Sequence, residues 1–165
     1  MTEEEIKAAL AERSPRTQVA FLVGCVEHVS LACWDDDGIV ARAIELAWSF
    51  VEGGAVDAVA LESLRTDLDD AVDEDSATEL VHLAAAAELV ATSTEAPSLV
   101  AGQVLNNLEA VIDVVDPEAE RGIVEEQTWQ ERALAIARGA DDSVLARDLF
   151  TSICRHPPDW LGRAR

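Results

Sequence analysis

The strongest indication of the fold is the stretch SPRTQVAFLVGCVEHVSLAC, residues 14–33. Ser14 followed by Pro15 is typical of a helix start, because the serine hydroxyl caps the first turn and the missing proline N–H costs nothing at the first helical position. Beyond this start the apolar side chains recur with the 3.6-residue period of an α-helix. They form one broad stripe, made of Val19, Leu22, Val23, Val26 and Val29 and widened by Phe21 and Cys25. We therefore predict a central and largely buried helix.

The same period predicts helices on both sides of this one. A short helix over 3–12 precedes it, and six more follow: a third ending at Gly53-Gly54, a fourth over 56–73, a fifth opened by Asp75-Ser76, a sixth over Leu99–Val115, a seventh opened by Asp116-Pro117-Glu118 and ending at Gly139, and an eighth opened by Asp141-Asp142-Ser143. No run alternates with the period of two that indicates a strand. Because short connections favour antiparallel neighbours, we predict an all-α, single-domain bundle of about seven to eight mostly antiparallel helices, with no sheet. The bundle takes residues 1–155, and the proline-containing tail, 156–165, is expected to lie extended on the surface.

Composition excludes several classes of partner. The 165 residues include 33 Asp and Glu against 12 Lys and Arg, which gives a net charge of −21, and such a charge repels nucleic acid and anionic membranes. No apolar stretch approaches the ~20 residues needed to span a bilayer, and the acidic N-terminus does not resemble a secretory signal. Three cysteines at wide spacing do not form a disulfide framework. We expect a cytoplasmic protein without nucleic-acid or membrane partners.

The negative charge is concentrated in one part of the chain. Residues 1–120 carry the whole excess, and residues 35–75 hold 13 acidic side chains against only Arg42 and Arg65. The candidate partner-binding residues are Asp35, Asp36, Asp37, Asp67, Asp69, Asp70, Asp73, Glu74 and Asp75, with Trp34 beside them as a candidate exposed anchor. Those from Asp67 onward fall at the end of the fourth helix, where carboxylates oppose the helix dipole and repel one another.

Two interpretations of this charge remain open. The first is a solvated acidic surface that keeps the protein soluble. The second is a docking surface for a basic protein, because opposite potentials speed encounter and exclude wrong partners. Tryptophan is enriched at the centres of such interfaces, which makes Trp160 in the tail a second candidate anchor, whereas Trp48 fits the apolar face of its own helix.

No pattern of residues indicates catalysis or a metal. The Glu79-x-x-His82 spacing occurs in di-iron bundles, which need a second copy that this chain lacks. Cys25 and His28 are one helical turn apart and approach a zinc-ligand spacing, but a cysteine on an apolar helix is most often an inert apolar residue. No nucleophile or phosphate-loop motif is present. We expect a protein that is not an enzyme and has no cofactor. The alternative is a metal- or ligand-binding protein or enzyme with an inter-helix pocket near Cys25, Glu27, His28 and His82.

Three stretches carry a resemblance to a known group of proteins. They are QVAFLVGCVEHVSLACW (18–34), with its Cys25-x-Glu27 pattern, GIVARAIELAWSFVEGG (38–54) and PSLVAGQVLNNLEAVIDVV (97–115). Together they resemble the helical immunity proteins of bacterial polymorphic toxin systems and the uncharacterised helical bacterial proteins allied to them. The resemblance implies a small, cytoplasmic, non-enzymatic protein that binds and neutralises a cognate toxin domain, such as a basic nuclease. It brings no catalytic residues with it.

Overall fold

The computed structural model describes residues 2–33, 38–73, 78–139, 148–149, 151–153, 155–158 and 160, and most of these residues are helical. Seven α-helices occur in these ranges: α1 (Glu3–Ala11), α2 (Pro15–Ser30), α3 (Ile39–Val51), α4 (Ala58–Asp73), α5 (Thr78–Thr92), α6 (Ala101–Val115) and α7 (Ala119–Gly139). A short 3-10 helix, Pro97–Leu99, precedes α6. None of the described residues forms a strand. The all-α prediction is confirmed.

The helix ends follow the local signals in the sequence. The Ser14 hydroxyl accepts a hydrogen bond from the Thr17 N–H, and Pro15 is the first residue of α2, as predicted. At the end of α3 the Gly53 N–H donates to the Phe50 carbonyl and the Gly54 N–H donates to the Ser49 carbonyl. These two bonds form a Schellman motif, which requires a left-handed residue, and Gly53 supplies it with a φ of 107°.

One helix start differs from the prediction by its position. The sequence Asp116-Pro117-Glu118 was expected to open the seventh helix, but α7 begins at Ala119. Asp116 instead ends α6 with an extended backbone (φ −98°, ψ 117°), because a residue that precedes proline is disfavoured in the helical region. Its side chain is buried and accepts a hydrogen bond from the Glu118 N–H at 3.0 Å. Asp116 therefore stabilises the turn between the two helices.

The core is built around α2. Twelve of the 16 residues of this helix are buried, including every member of the predicted apolar stripe, and the helix contacts α3, α5, α6 and α7. The prediction of a central buried helix is correct. By contrast, α4 packs mainly against α3 and α5 and covers Leu64 and Leu68 on one side only. It therefore lies at the edge of the bundle.

The expected surface position of the tail is correct for His156 and Pro157, which are exposed, and wrong for Pro158 and Trp160. Trp160 is fully buried and packs with the main hydrophobic core, and Pro158 is buried as well. Burying an indole ring removes roughly 150–250 Å² of mostly apolar surface from water, which outweighs the tendency of two prolines to keep the chain extended. Trp160 is thus not an exposed anchor. Most of the predicted eighth helix lies outside the described residues, and residues 148–149 and 151–153 are helical.

No described helix is both long enough and apolar enough to cross a lipid bilayer.

Candidate functional site

A buried histidine–glutamate pair joins α2 to α7. The His28 Nδ1 lies 2.8 Å from the Glu126 Oε2, and the side chains of both residues are about 2% exposed or less. These residues are 98 positions apart in the sequence. Because ionisable groups are rarely buried without a partner, the pair is the most unusual polar contact in the core.

The second nitrogen of His28 defines where the protons lie. Its Nε2 is 2.9 Å from the backbone carbonyl oxygen of His156, and a carbonyl only accepts, so Nε2 carries a hydrogen and donates. The pair is therefore either an imidazolium with a carboxylate or a neutral imidazole with a carboxylic acid. Both arrangements hold one proton between Nδ1 and Oε2. The same ring also ties the segment around His156 to the bundle.

Aromatic rings surround this pair. The His28 ring stacks on Trp129 with the ring centroids 4.0 Å apart and the planes inclined by 7°. Trp129 and Trp160 are both buried, and the indole N–H of each has no hydrogen-bond partner among the described residues. The Glu126 Oε1 is also buried without a partner in this part of the chain. Buried polar atoms usually have a hydrogen-bond partner, so three buried atoms without one make this region unusual.

A cavity of about 470 Å³ adjoins these rings. His28 on α2, Trp129 on α7 and Trp160 near the C-terminus form part of its wall, and Pro157 and Pro158 add further apolar surface. Its volume falls in the range of roughly 300–1,000 Å³ that is common for small-molecule sites. The cavity is therefore the candidate functional site of the described part of the chain.

The charged residues around the cavity are mainly basic. Arg132 on α7 and Arg155 line it, together with a single described carboxylate, Glu125. That carboxylate already accepts a hydrogen bond from the Arg121 Nε at 2.8 Å. The cavity is thus a locally cationic site in a chain whose net charge is −21.

The structure describes only part of the predicted acidic cluster. Asp69 and Asp70 are exposed near the end of α4, and the last residue of that helix is Asp73. Asp67 is half-exposed, and one of its carboxylate oxygens pairs with the Arg42 Nη1 at 2.7 Å. The other candidates, Trp34, Asp35, Asp36, Asp37, Glu74 and Asp75, lie outside the described residues.

The four residues of the alternative pocket do not share one site. Only His28 lines the cavity. Glu27 points to Trp48 instead, whose indole N–H donates to the Glu27 Oε2 at 2.8 Å, and burial raises the pKa of this carboxyl while that hydrogen bond acts in the opposite direction. Burial, and then the charge of Glu126, raise the pKa of the Cys25 thiol well above its usual range. His82 is half-buried on α5. Within the described ranges, no three His, Cys, Asp or Glu side chains are grouped as metal ligands.

Sequence reasoning did not identify Glu126, Arg132 or Arg155. A signal for Glu126 exists in the pattern of α7, where Gly122, Glu126, Trp129, Ala133 and Ala137 recur every three or four residues and are all buried. An acidic residue on such a stripe indicates a buried partner, because isolated buried charge is costly. Nothing local indicates the two arginines, since the C-terminal segment brings the cavity together.

Comparison of the chain with protein-family models, with curated proteins and with solved structures gave no match. Its function is therefore argued from its own residues.

Proposed function

We propose that this chain is an immunity-type binding protein that neutralises a basic toxin domain, such as a nuclease, by docking it on an acidic surface. The action is binding rather than catalysis, and the place of action is the cytoplasm. The observation that supports the proposal is the exposed side of α4, where the carboxylates are close together and the nearby arginines are already paired.

One side of α4 is open to solvent from Val59 to Asp70. Val59, Ser63, Thr66 and Asp70 follow one another at helical spacing, and all four are exposed. Leu64 and Leu68 lie on the buried side. We call the exposed residues Glu62, Asp69 and Asp70, together with half-exposed Asp67, the α4 acidic surface.

Internal ion pairs leave two of the four carboxylates of this surface without a described countercharge. Arg42 pairs with Asp67, while Arg65 lies 3.1 Å from Glu88 and 3.8 Å from Glu62. No described ion pair involves Asp69 or Asp70. Their field is therefore available to a basic partner, and such a field mainly accelerates encounter, whereas apolar contacts at the centre of an interface supply most of the affinity. Val59, which is 80% exposed and lies one helical turn from Glu62, offers apolar surface to such a partner.

The test co-expresses the chain with the toxin domain encoded by the neighbouring reading frame and measures cell survival and association rate. Asp69→Asn combined with Asp70→Asn is expected to slow association about tenfold at low salt, and the difference is expected to shrink as salt screens the charges. The matched control is Asp113→Asn with Glu120→Gln, which removes two exposed carboxylates from α6 and α7. This control should keep the association rate within about twofold of the wild-type value.

Two results contradict the proposal. One is a neighbouring reading frame that encodes no basic toxin domain. The other is equal slowing by the α4 variant and its control, which would show that total charge acts rather than this surface.

A second candidate function is that of a ligand-binding protein, and the observation that favours it is the cavity beside His28. It differs from the pocket expected from the sequence, because Cys25, Glu27 and His82 do not line it.

A further inference from the structure

We propose that residues 155–158 and Trp160, here called the C-terminal strap, close one side of the cavity in a proton-dependent way. The strap stays closed while the His28–Glu126 pair holds a single proton between Nδ1 and Oε2. Gain of a second proton, or loss of the one present, favours the open strap. This inference goes beyond the proposed function and does not depend on the α4 acidic surface.

Two described contacts hold the strap against the bundle. The His28 Nε2 donates to the His156 carbonyl oxygen at 2.9 Å, and the fully buried Trp160 ring packs with the main core. The other nitrogen of His28 lies 2.8 Å from the Glu126 Oε2 on α7. The ring that holds the strap is therefore also the ring that shares a proton with Glu126.

Burial restricts the closed pair to one proton. The His28 and Glu126 side chains are about 2% exposed or less, and an isolated buried charge is strongly unfavourable. With one proton the pair is neutral overall. A second proton would have to bind the Glu126 Oε1, which has no hydrogen-bond partner among the described residues, and would leave an imidazolium without a countercharge. Removal of the proton would leave a buried carboxylate facing the lone pair of Nδ1.

The other described groups near the pair do not supply a countercharge. The remaining elements packed on α2, which are α1, α3, α5, α6 and the 3-10 helix, form no described hydrogen bond or ion pair with His28 or Glu126. On α2 itself, burial and then the charge of Glu126 raise the pKa of the Cys25 thiol, which stays neutral, and Glu27 accepts from Trp48 instead. The ionisable side chains around the cavity are solvent-exposed or already paired, and they are Glu125, Arg132, Arg155 and His156.

Opening of the strap gives the pair access to water. His28 and Pro158 line the cavity of about 470 Å³, so space for water lies beside the pair once the strap moves. By contrast, α7 has 21 residues and packs on α2 and α6, so movement of the short strap is the smaller rearrangement. In water, histidine and glutamate have ordinary pKa values of about 6.5 and about 4.3. The open pair therefore holds no proton above about pH 6.5, one between the two values and two below about pH 4.3.

The difference in bound protons determines how opening depends on pH. Between about pH 4.3 and about pH 6.5 the open and closed forms both hold one proton, so the opening equilibrium does not change. Below this range opening takes up a proton, and above it opening releases one. Opening therefore becomes up to about tenfold more favourable per pH unit on each side.

The experiment measures hydrogen exchange of the Trp160 indole N–H in the full chain through its ¹H–¹⁵N NMR signal. Exchange requires opening, because this N–H is buried. The reference is the double variant His28→Phe with Glu126→Leu, which lacks the pair but keeps His156 and every other ionisable group. Division by its rate removes the intrinsic pH dependence of exchange. We expect this ratio to be lowest near pH 5.5 and about tenfold higher at about pH 3.3 and at about pH 7.5.

Glu126→Gln distinguishes the acidic rise from the alkaline rise. The glutamine amide donates to the Nδ1 of a neutral His28, so the closed form of this variant holds no shared proton, whereas its open form binds one below about pH 6.5. Opening should become more favourable as pH falls below that value and should be independent of pH above it. If the double variant does not fold, a short tryptophan peptide supplies the reference rate. An alkaline rise that persists in Glu126→Gln overturns the inference.

Three further results overturn it. A wild-type ratio that is constant over the pH range would show that the pair does not control the strap. A rise on one side alone would show that the closed pair does not keep a single proton. An equal rise in the exchange of the Leu108 amide would show that the whole bundle opens, because Leu108 is buried on α6, which does not line the cavity.

Discussion

Replacing Glu126 with alanine tests whether the buried pair holds α7 against α2. The substitution removes the partner of the His28 Nδ1, 2.8 Å away, and leaves a buried polar nitrogen with no acceptor or donor opposite it. Breaking a buried ion pair from one side typically costs about 3–5 kcal/mol. For a chain of this length 1 kcal/mol corresponds to about 2–4 °C in Tm, so we expect Glu126→Ala to lower Tm by roughly 10 °C.

Three further variants distinguish the effect of losing the His28–Glu126 contact from the effect of losing side-chain volume. Glu126→Gln keeps a side chain of the same shape that hydrogen-bonds to Nδ1 and should cost only about 1 kcal/mol. The double variant His28→Phe with Glu126→Leu keeps aromatic stacking on Trp129 and buries no charge, so it should cost less than the sum of its two single substitutions. Glu120→Ala, an exposed position on the same helix, should change the free energy of unfolding by less than about 0.5 kcal/mol.

The assay is urea unfolding followed by circular dichroism, with one double-mutant cycle over positions 28 and 126. A coupling energy of about 1–3 kcal/mol is expected for residues in direct contact. The reasoning is refuted if Glu126→Ala costs less than about 1 kcal/mol, or if the two single substitutions add without coupling. Either result would mean that apolar packing alone joins α7 to the central helix.

Two further predictions concern packing and pH. A Cβ at Gly122 would meet the Asp116 carboxylate and lie 2.8 Å from the Ile112 Cγ2, so Gly122→Ala should lower the free energy of unfolding by about 1–3 kcal/mol in a urea titration. Gly139→Ala, where no atom of the described residues lies within 4 Å, should not. Glu27 has a pKa raised by burial above its ordinary value of 4.5, so the folded state binds its proton more tightly than the unfolded state. Wild-type stability should therefore fall, relative to Glu27→Gln, as pH rises from about that ordinary value through the higher folded-state pKa, and become constant above it. Parallel urea-unfolding profiles of the two proteins across this range would contradict the assignment, since Trp48 donates equally well to an amide oxygen.

Local signals were sufficient to predict most of the helical framework. The cap at Ser14 and the turn at Gly53 depend on residues within five positions of each other, so the sequence displays all the atoms that determine them. The exception at Asp116 is also local. Asp116 ends α6 in the extended conformation that Pro117 favours. Its carboxylate also accepts from the Glu118 N–H, so the residue serves the turn before α7 as well.

The cavity was less predictable because distant segments form it. His28 and Glu126 meet across 98 residues, and the His156 carbonyl that completes the contact is 128 residues away. Contacts between residues so far apart in the chain produce no periodic pattern in the sequence. Trp160 shows the same difficulty: its neighbours in the sequence are polar residues and prolines, which suggest exposure, whereas its neighbours in space are apolar.

The α4 acidic surface was predicted from the sequence only in part. Its place late in the fourth helix was predicted, and Asp67, Asp69 and Asp70 do lie on α4. The pairing of Asp67 with Arg42 was not predicted, because the two residues lie on different helices and only their packing brings them together. The prediction that these carboxylates receive a basic protein stays a prediction.

The α4 acidic surface and the cavity beside His28 belong to different parts of the bundle. The acidic surface lies on a helix that packs mainly on α3 and α5, while the cavity lies beside α7, which packs on α2 and α6. Exposed charges are screened over about 8 Å at physiological salt, and sites without shared partners usually act independently. Neutralising Asp69 and Asp70 should therefore leave the indole signals of Trp129 and Trp160 beside the cavity unchanged. A measured coupling between the two would require a conformational link through the helices between them, and the His28–Glu126 contact is the place to look for it.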